Sequence, residues 1–205
     1  MILPEFEQLP SFRIIDSWND GLIQKAVEIY EQGLGQKYIS KEDLIKFTND
    51  ENAILIGAMV DKDLAGVMVA YPMKVEESEK YGRELYENQV PQILQDRKVG
   101  LIKSVAVEKE YRRRGIGTQL IVEAMRRLKN KGCDLFFAVS WDSGFRDSSP
   151  SIFKALSFME AVKIDNYWTE DSKEKDKETG EVEIKYMCPA DGWPCHCSAI
   201  FFFRK

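Results

Sequence analysis

The sequence predicts an α/β protein with a mixed β-sheet, and three observations support this fold class. Segments with apolar residues at helical spacing alternate along the chain with short apolar runs typical of strands. Two of these runs flank the turn residues Asp61–Asp63, which indicates an antiparallel hairpin in an otherwise interleaved chain. The length of 205 residues allows a substantial core, and we expect a single domain over residues 1–205.

The first predicted elements are a strand and a helix. Ser11–Asp16 has the alternation of polar and apolar residues that is typical of a short strand. The apolar residues between Leu22 and Tyr30 fall on one face of a helix. Gly33 or Gly35 is suited to end that helix.

A second helix and the hairpin are predicted next. Ser40 and Asp43 have the spacing of a capping box, so a short helix is expected to begin there. Asn52–Met73 contains the two apolar runs of the hairpin. Residues 74–98 are highly charged, and we expect exposed helical or loop material inserted before the next strand.

The middle of the chain predicts a strand, a long helix and a second strand. Val99–Val107 is an apolar run typical of a strand. The apolar residues from Leu120 to Leu128 form the clearest helical stripe in the sequence, and Gly132 is suited to end this helix. Cys133–Trp141 is expected to be a buried strand, and Pro150 to lie in the first turn of a following helix.

Two further strands are predicted in the last part of the chain. Glu160–Trp168 is typical of a strand, and Ile200–Phe203 of a buried strand. Between them, Thr169–Glu181 is almost entirely charged, which predicts a solvated and mobile loop.

Composition narrows the classes of function. The net charge of −5 argues against broad binding to nucleic acid, whose phosphates favour basic surfaces. No apolar run reaches the roughly 18 residues that a membrane span needs. The first residues lack a basic leader followed by an apolar stretch, so we expect a cytoplasmic protein with no membrane or nucleic-acid partner.

Arginines and glycines lie between the strand Val99–Val107 and the long helix. The start of a helix exposes unpaired backbone N–H groups and carries partial positive charge, so it attracts anions. Gly115 and Gly117 leave room for a phosphate to approach the backbone, and Arg112–Arg114 add positive charge. A tight helix start with solvated arginines and no ligand would produce the same pattern.

Two common nucleotide motifs do not fit this segment. In the dinucleotide fingerprint a third glycine would fall at Leu120, and a phosphate-binding loop of nucleotide triphosphatases would place a lysine after Gly117. A nicotinamide or nucleotide triphosphate site is therefore disfavoured, whereas a pyrophosphate site of another kind is not.

The stretch SVAVEKEYRRRGIGTQLIVEAM, Ser104–Met125, resembles the acyl-coenzyme A binding motif of the GNAT superfamily of N-acetyltransferases. That motif, Arg/Gln-x-x-Gly-x-Gly/Ala, is met by Arg112, Gly115 and Gly117. The order of predicted elements is also similar to that of the family. The resemblance spans the chain from about Phe12 onward, with insertions at about residues 74–98 and 169–197.

The resemblance implies a largely antiparallel sheet whose two central strands splay apart, with acetyl-coenzyme A as cosubstrate in the gap. Backbone amides would hold the pyrophosphate, and backbone groups of the preceding strand would pair with the pantetheine arm. A strand N–H near Val105 or Ala106 would stabilise the oxyanion formed when an amine attacks the thioester. The implied cofactor-binding residues are Val105, Ala106, Val107, Arg112, Arg113, Arg114, Gly115, Ile116, Gly117 and Thr118.

The sequence departs from the family at the residue that often protonates the departing thiolate. The phrase Tyr-x-x-x-Gly-Phe is represented here by FKALSF, in which Phe153 takes the place of the tyrosine and Ser157 that of the glycine. Phenylalanine cannot donate a proton, so Ser151, Tyr167 or water would have to do so. No catalytic residue is assigned.

Carboxylates offer two candidate roles near the acceptor. Asp142 follows an apolar strand and could serve as a general base, but a role in capping a turn is favoured. Glu76, Glu77 and Glu79 could attract a cationic amine, although such charge runs are usually solvated.

Two functions from different classes follow from the resemblance. The favoured function is an N-acetyltransferase that acts on a primary amine of a small molecule or a protein. The alternative is a non-catalytic acyl-coenzyme A binding sensor or interaction domain. This alternative remains because Phe153 takes the place of the tyrosine that often donates a proton in the family. Specificity for the acceptor is expected in residues 21–49 and 74–98, and the apolar strand Ile200–Phe203 could support a homodimer.

Three cysteines in the segment CPADGWPCHC allow two interpretations. Cys188, Cys195 and Cys197 could bind a structural zinc ion, with Asp191 or His196 as the fourth ligand, and so form a metal-clamped adaptor. Alternatively, they are small core residues of neighbouring strands, as free cysteines often are and as we expect for Cys133. Zinc is therefore not assigned from the sequence.

Overall fold

The structure, a computed structural model, describes residues 12–90, 93–144, 149–175 and 181–205. Seven strands form one sheet: β1 (Phe12–Ile15), β2 (Ile54–Val60), β3 (Asp63–Pro72), β4 (Val99–Val107), β5 (Leu135–Asp142), β6 (Met159–Ile164) and β9 (Ser198–Arg204). Two short strands form a separate ribbon: β7 (Lys173–Lys175) and β8 (Val182–Ile184). The helices are α1 (Asp20–Leu34), α2 (Lys41–Asn49), α3 (Val75–Glu87), α4 (Ile116–Asn130), α5 (Pro150–Ala155) and α6 (Trp168–Asp171).

The large sheet is mixed and mostly antiparallel, with the order β1-β2-β3-β4-β5-β9-β6. Only β4 and β5 run parallel among its neighbouring strands. Their pairing is confined to Val99–Ile102 opposite Leu135–Ala138, whereas β4 continues to Val107 and β5 to Asp142. The structure therefore confirms the predicted fold class, including a sheet that opens between its two central strands.

A β-bulge in β4 explains why the two central strands separate. Val69 of β3 lies opposite Ser104, but the next residue, Ala70, lies opposite Ile102, so Lys103 is the extra residue on β4. A bulge bends its strand and increases the local twist. Because this bend occurs at the residue after the last pair with β5, the second half of β4 turns away from β5.

Helices cover both faces of the sheet. On one face, α1, α2 and α3 contribute Tyr30, Leu44 and Leu85 to a buried cluster. On the other face, α4 and α5 contribute Leu120 and Phe153. The strands alternate their side chains between these two clusters, as a sheet buried on both faces requires.

Helix α4 lies unusually close to the sheet because two glycines face it. A Cβ atom on Gly66 would lie 3.0 Å from Ile116 Cγ2, and one on Gly100 would lie 2.8 Å from Leu128 Cδ1. The missing side chains let both ends of α4 contact β3 and β4 directly. This contact fixes where the start of α4 lies relative to the end of β4.

Two predictions about the insertions were wrong in part. The segment 74–98 is not simply exposed material, since α3 buries Tyr81 and Leu85 in the core and Leu94 is 5% exposed. The charged segment Thr169–Glu181, which was predicted to be a loop, contains most of α6 and the first strand of the ribbon, β7. Ser172 within this segment is completely buried. Residues 176–180 of that segment lie outside the described residues.

Other element predictions hold with small changes at their boundaries. Helix α1 ends at Gly35, and Ser40 and Asp43 form the predicted capping box. Strand β6 ends at Ile164, before the predicted Trp168, because Asn166 adopts a φ of +55° in the turn that follows. The segment before Phe12, which the sequence predicts not to be a secretory leader, lies outside the described residues.

Strand β9 lies inside the sheet. It pairs with β5 on one side and with β6 on the other, so neither edge is free for another chain. Homodimerisation through Ile200–Phe203 as an added edge strand is therefore not favoured. No helix in the described part of the chain is both long enough and apolar enough to cross a membrane.

Candidate functional site

A cleft lies between β4 and β5 where the two strands have separated. Its volume is about 140 Å³. Ser104 and Val105 line it from β4, and Val139 and Ser140 line it from β5. The walls come from both predicted insertions and from the helical region near the start of the domain, since Tyr38, Tyr81 and Tyr186 contribute aromatic rings.

The α4 entrance (Arg112–Thr118) lies at the end of β4, where the sequence predicts an anion site. Gly115 is the N-cap of α4 and has a φ of +78°, while Arg113 has a φ of +65°. Alternation of left-handed and right-handed backbone points successive N–H groups into a concavity that suits anions. Among the described residues, no side chain caps the first turn of α4, so its N–H groups remain available.

The two glycines of the motif have different surroundings. A Cβ atom on Gly115 would have no described neighbour within 4 Å, so the glycine is required by its left-handed backbone and not by crowding from protein. A Cβ atom on Gly117 would lie 3.4 Å from Ile152 Cδ1 and 3.5 Å from Val107 Cγ2, which are ordinary contacts. The space above Gly115 is thus open to a ligand.

The three arginines do not all point at the same place. Arg112 Nε donates a hydrogen bond of 3.0 Å to the carbonyl oxygen of Val107, so this side chain joins the α4 entrance to the end of β4. Arg114 lies over the ring of Tyr111, 5.4 Å from its centroid. Arg113 and Arg114 are exposed, and Arg112 is half-buried. Arg112 therefore has a structural role that sequence reasoning did not anticipate.

The second half of β4 presents a strand edge to the cleft. Strand residues direct their N–H and C=O groups alternately to the two edges, and β3 occupies only one edge of Val105–Val107. Groups on the other edge face the gap left by β5. The Glu108 amide donates to β3, so by this alternation the backbone groups of Ala106 also face β3, while those of Val105 and Val107 face the gap. The carbonyl of Val107 already accepts from Arg112, which leaves Val105 as the main backbone partner for an extended ligand.

Phe153 occupies an apolar environment at the end of the cleft. It is 3% exposed and lies between the rings of Phe202, at 5.4 Å, and Phe158, at 5.2 Å. Ser157 has a φ of +60°, a conformation that favours the glycine expected at this position. The local backbone therefore follows the Tyr-x-x-x-Gly-Phe phrase although two of its side chains differ.

Two serines that sequence reasoning missed meet at the cleft. Ser149 lies one helical turn before Phe153, and its Oγ is 2.7 Å from Oγ of Ser140 on β5. Both residues line the cleft. Neither belongs to a recognisable motif, and only the fold brings them together. Their hydroxyl groups and the ring of Phe153 line the same cleft.

Of the proton donors considered from the sequence, Tyr167 lines the cleft and Ser151 does not. Ser151 is exposed on α5. The Tyr167 hydroxyl donates a hydrogen bond of 2.8 Å to Glu84 Oε2, and its ring packs on Phe201 and Trp168. Tyr167 therefore joins α3 to the wall of the cleft, with its proton directed at Glu84.

Two of the acidic residues considered from the sequence, Asp142 and Glu77, have structural partners. Asp142 accepts from the Gly144 amide at 3.1 Å and from Lys163 Nζ at 2.9 Å, which is the turn role that was favoured. Burial opposes ionisation of this carboxyl, but these hydrogen bonds outweigh it and hold its pKa below the usual value. Glu77 accepts from the Tyr71 hydroxyl at 2.8 Å, whereas Glu76 and Glu79 are exposed. Asp142 is thus poorly suited to be a general base.

The cysteine segment (Cys188–Cys197) forms another wall of the cleft. Cys188, Cys195 and Cys197 are buried, and their thiols meet the carboxylate of Asp191, with all four potential ligand atoms within 4.8 Å of one another. Cys188 and Cys195 line the cleft. Burial raises the pKa of Cys195 to about 11. Cys133 is buried elsewhere in the core, as expected.

Comparison with known proteins gives one family match. Residues 19–143 match the model of the Acetyltransferase (GNAT) family, which covers β2 to β5 and the α4 entrance. No curated protein sequence matches the chain significantly. The matched region ends before α5 and the cysteine segment.

Solved structures share the fold across nearly the whole chain. The ribosomal-protein-S18-alanine N-acetyltransferase from Escherichia coli is 14% identical, with a TM-score of 0.55, 94% of this chain covered and 92% of that one. An acetyltransferase from Bacillus subtilis in complex with CoA is 15% identical, with a TM-score of 0.55 and coverage of 94% and 95%. An agmatine N-acetyltransferase is 12% identical, with a TM-score of 0.61 and coverage of 94% and 98%. At these identities the likeness is one of fold.

Proposed function

Because the chain belongs to the Acetyltransferase (GNAT) family, we propose that it transfers an acetyl group from acetyl-coenzyme A to a primary amine. The observation that carries this proposal is the α4 entrance. Its uncapped N–H groups lie beside open space at Gly115, next to the strand edge exposed by the separation of β4 from β5. These features favour one extended ligand with an anionic group at one end.

The cosubstrate would occupy this path in two parts. The pyrophosphate would accept hydrogen bonds from the amides of Arg113–Thr118, with Arg113 and Arg114 adding charge. The pantetheine arm would pair, as an added strand, with the edge of β4 that faces the gap at Val105. Arg112 would contribute by holding the α4 entrance to the carbonyl of Val107, and its own contact with phosphate is not required.

The reaction needs little covalent chemistry from the protein. The neutral amine attacks the thioester carbonyl carbon and forms a C–N bond, and an N–H group of β4 near Val105 stabilises the oxyanion. The C–S bond then breaks, the sulfur leaves as a thiolate, and the nitrogen loses its proton to water. No carboxylate or histidine is found among the described residues that line the cleft, which favours water as the proton acceptor.

Ser149 is the group we propose to donate to the departing sulfur. Phe153 has no proton to give, and Ser149 lies one turn earlier on the same side of α5, in contact with the cleft. Its hydrogen bond with Ser140 supplies a second hydroxyl through which the proton can be replaced. Tyr167 is less suited because its hydroxyl donates a short hydrogen bond of 2.8 Å to Glu84, whereas the hydrogen bond from Ser149 to the carbonyl of Trp141 is long, at 3.4 Å.

The acceptor is an amine of a small molecule or of a protein. The ribosomal-protein-S18-alanine N-acetyltransferase and the agmatine N-acetyltransferase, which have this fold, are named for one acceptor of each kind. Tyr38 lies after α1 and Tyr81 on α3, and both line the cleft, which supports a role of residues 21–49 and 74–98 in acceptor specificity.

Calorimetric titration with acetyl-coenzyme A tests the proposal directly. We expect saturable binding, and release of free coenzyme A when a panel of amines and peptide N-termini is added. Binding without turnover on any acceptor would favour the alternative, a non-catalytic acyl-coenzyme A sensor. The absence of binding at millimolar ligand would overturn both.

The role of Ser149 is tested by Ser149→Ala beside Tyr167→Phe. We expect Ser149→Ala to lower kcat about 10²-fold with little change in coenzyme A affinity, since removal of a general acid typically costs this much. Tyr167→Phe should leave kcat within about threefold. The reverse ranking would assign the donor to Tyr167.

A further inference from the structure

The cysteine segment contains a cluster of side chains that the proposed acetyl transfer does not use. Three thiols and one carboxylate, from Cys188, Cys195, Cys197 and Asp191, converge within a stretch of ten residues. The three cysteines are at most 5% exposed, while Asp191 approaches from the solvent side. Thiolates and a carboxylate are ligands that zinc accepts in proteins.

The separation between two of the thiols matches a tetrahedral zinc site. Thiolates about 2.3 Å from a zinc ion lie about 3.8 Å from one another in a regular tetrahedron. The Sγ atoms of Cys188 and Cys197 are 3.8 Å apart. Oδ2 of Asp191 is 3.0 Å from Sγ of Cys197, within the reach of a shared ion.

We propose that Cys188, Asp191, Cys195 and Cys197 bind one zinc ion as a structural site. The site does not depend on the acetyl transfer proposed above. It resolves the alternative between Asp191 and His196 as the fourth ligand in favour of Asp191, because the imidazole of His196 is not part of the cluster. The backbone supports this choice, since the His196 amide donates to Oδ2 of Asp191 at 3.1 Å and orients the carboxylate.

A backbone donor also supports one of the sulfur ligands, Cys188. The Asp191 amide lies 3.5 Å from Sγ of Cys188 and donates to it, as expected where a tight turn surrounds a metal-bound sulfur. Residues Cys188 and Gly192 pair with each other across this turn, and Gly192 has a φ of +77°. The turn therefore presents Cys188 and Asp191 in the same direction as Cys195 and Cys197.

A disulfide bond and simple burial of the thiols both fit the geometry less well than zinc does. A disulfide needs an S–S separation of about 2.05 Å and would leave one thiol and the carboxylate without a role. Simple burial accounts for the hydrogen bond that the Cys197 thiol donates to Asp191, but not for the convergence of the Cys188 and Cys195 thiols on the same carboxylate. Zinc uses all four groups.

The ion would fasten the cysteine segment to the rest of the cleft wall. Thr169 Oγ1 donates to the carbonyl of Cys195 at 2.6 Å, and the Cys195 amide donates to Ser172 Oγ at 3.4 Å. Cys188 and Cys195 themselves line the cleft. A zinc ion would therefore hold this wall in place where it meets α6.

Metal content of the whole protein, purified under reducing conditions without chelator, tests the proposal. We expect one zinc per chain by elemental analysis, and after exchange, a cobalt spectrum with thiolate charge-transfer bands and intense tetrahedral d–d bands. Cys195→Ser and Cys197→Ser should lose the metal, and Asp191→Asn should weaken zinc binding about tenfold or more. Cys133→Ser, a buried cysteine outside the cluster, and His196→Ala should retain one zinc.

Results on the unsubstituted protein decide the matter even if a variant fails to fold. The proposal is overturned if the protein contains no zinc and its apo form gives no thiolate–cobalt bands on titration with Co²⁺. It is also overturned if the non-reduced chain has the mass of a disulfide, or if His196→Ala loses the metal while Asp191→Asn keeps it. Zinc binding without acetyl transfer would leave the site intact and reject only the enzyme function.

Discussion

The α4 entrance and the cysteine segment are held in place in different ways. The first lies at the end of β4, which lines the cleft at Ser104 and Val105, and the second lines the cleft at Cys188 and Cys195. The α4 entrance is fixed by apolar packing, since Ile116 and Leu120 contact the sheet at Gly66 without an intervening side chain. The cysteine segment is fixed by hydrogen bonds to buried Ser172 and, as proposed, by zinc. The wall at β4 and α4 thus depends on packing in the main core, whereas the wall at the cysteine segment combines polar contacts with a small buried cluster against Trp141 and Trp168.

This difference separates the two halves of the proposed reaction. The wall that would bind the cosubstrate is part of the sheet and lies within the region that matches the family. The wall formed by the cysteine segment lies beyond that region, and changes there leave the sheet untouched. Substitutions in the first wall should therefore lower both the free energy of unfolding and the affinity for coenzyme A. Substitutions in the second wall should increase local hydrogen exchange and change the rate of acetyl transfer to the acceptor.

The largest effect is expected for Gly66→Val beneath the α4 entrance. A Cβ atom there meets Ile116 Cγ2 at 3.0 Å and the carbonyl oxygen of Ala106 at 3.3 Å, so α4 must move away from β3. We expect a loss of about 3 kcal/mol in the free energy of unfolding, measured in urea, together with weaker coenzyme A binding. Gly82→Val, where a Cβ atom meets nothing within 4 Å, is the matched control. Equal stability of the two variants would contradict packing as the origin of this wall.

A smaller and more selective effect is expected for Gly115→Ala. Both Gly115, with a φ of +78°, and Gly132, with a φ of +85°, lie at ends of α4 in the left-handed region. Alanine costs about 1 kcal/mol of stability at either position. Only Gly115→Ala should also weaken coenzyme A binding, about tenfold, because its methyl group enters the space proposed for the pyrophosphate. Calorimetric titration of Gly115→Ala and Gly132→Ala with coenzyme A measures the two affinities. Equal affinities would mean that the pyrophosphate binds elsewhere.

Ser172→Ala tests how the cysteine segment is held. The Ser172 hydroxyl donates to the Thr169 carbonyl at 2.8 Å and accepts from the Cys195 amide, in a position with no solvent access. Its loss leaves a buried amide unpaired and should cost about 2 kcal/mol of unfolding free energy. Hydrogen exchange should speed up at Cys195 and not in α4.

Thr48→Ala is the matched control for this variant. Thr48 Oγ1 makes the same type of bond, to the carbonyl three residues earlier, but on the surface of α2. Water replaces that bond, so we expect almost no change in stability. A similar loss in both variants would mean that the buried hydroxyl has no special importance.

The smallest effect is a gain in stability from Ser157→Gly. Ser157 is exposed and has a φ of +60°, which costs a residue with a Cβ atom about 1 kcal/mol. Glycine relieves this strain but gains freedom in the unfolded chain, so a net increase of about 0.5 kcal/mol is expected from thermal unfolding. Ser157→Ala retains the Cβ atom and should show no gain.

Local patterns in the sequence were sufficient for the first wall. Apolar periodicity identified β4 and α4, and the glycine positions identified the helix start, because all of these features lie within one continuous stretch. Even there, the hydrogen bond from Arg112 to Val107 could not be predicted, since an arginine in a charged run gives no sign of its partner. Nor does any residue in β4 signal the bulge at Lys103, which depends on its pairing with β3.

The second wall could not be predicted because its contacts form only when separate elements pack against one another. Ser140 and Ser149 meet only after β5 and α5 have packed, and Tyr167 reaches Glu84 across the core. The charge of Thr169–Glu181 predicted a mobile loop. The segment instead contains regular secondary structure, and Ser172 within it is hydrogen-bonded to the cysteine segment. For the four potential zinc ligands, the sequence supplied the residue types, and the fold supplied their convergence.

The position of β9 has a consequence for how the protein folds during synthesis. Of the seven strands of the large sheet, β9 leaves the ribosome last, yet it lies between β5 and β6. Phe137 of β5 therefore cannot pair with Phe203 until β9 has been synthesised, and β6 has no partner strand before then. During that interval the nascent chain exposes one open edge of β5 and the unpaired strand β6, which makes it a natural client for chaperones.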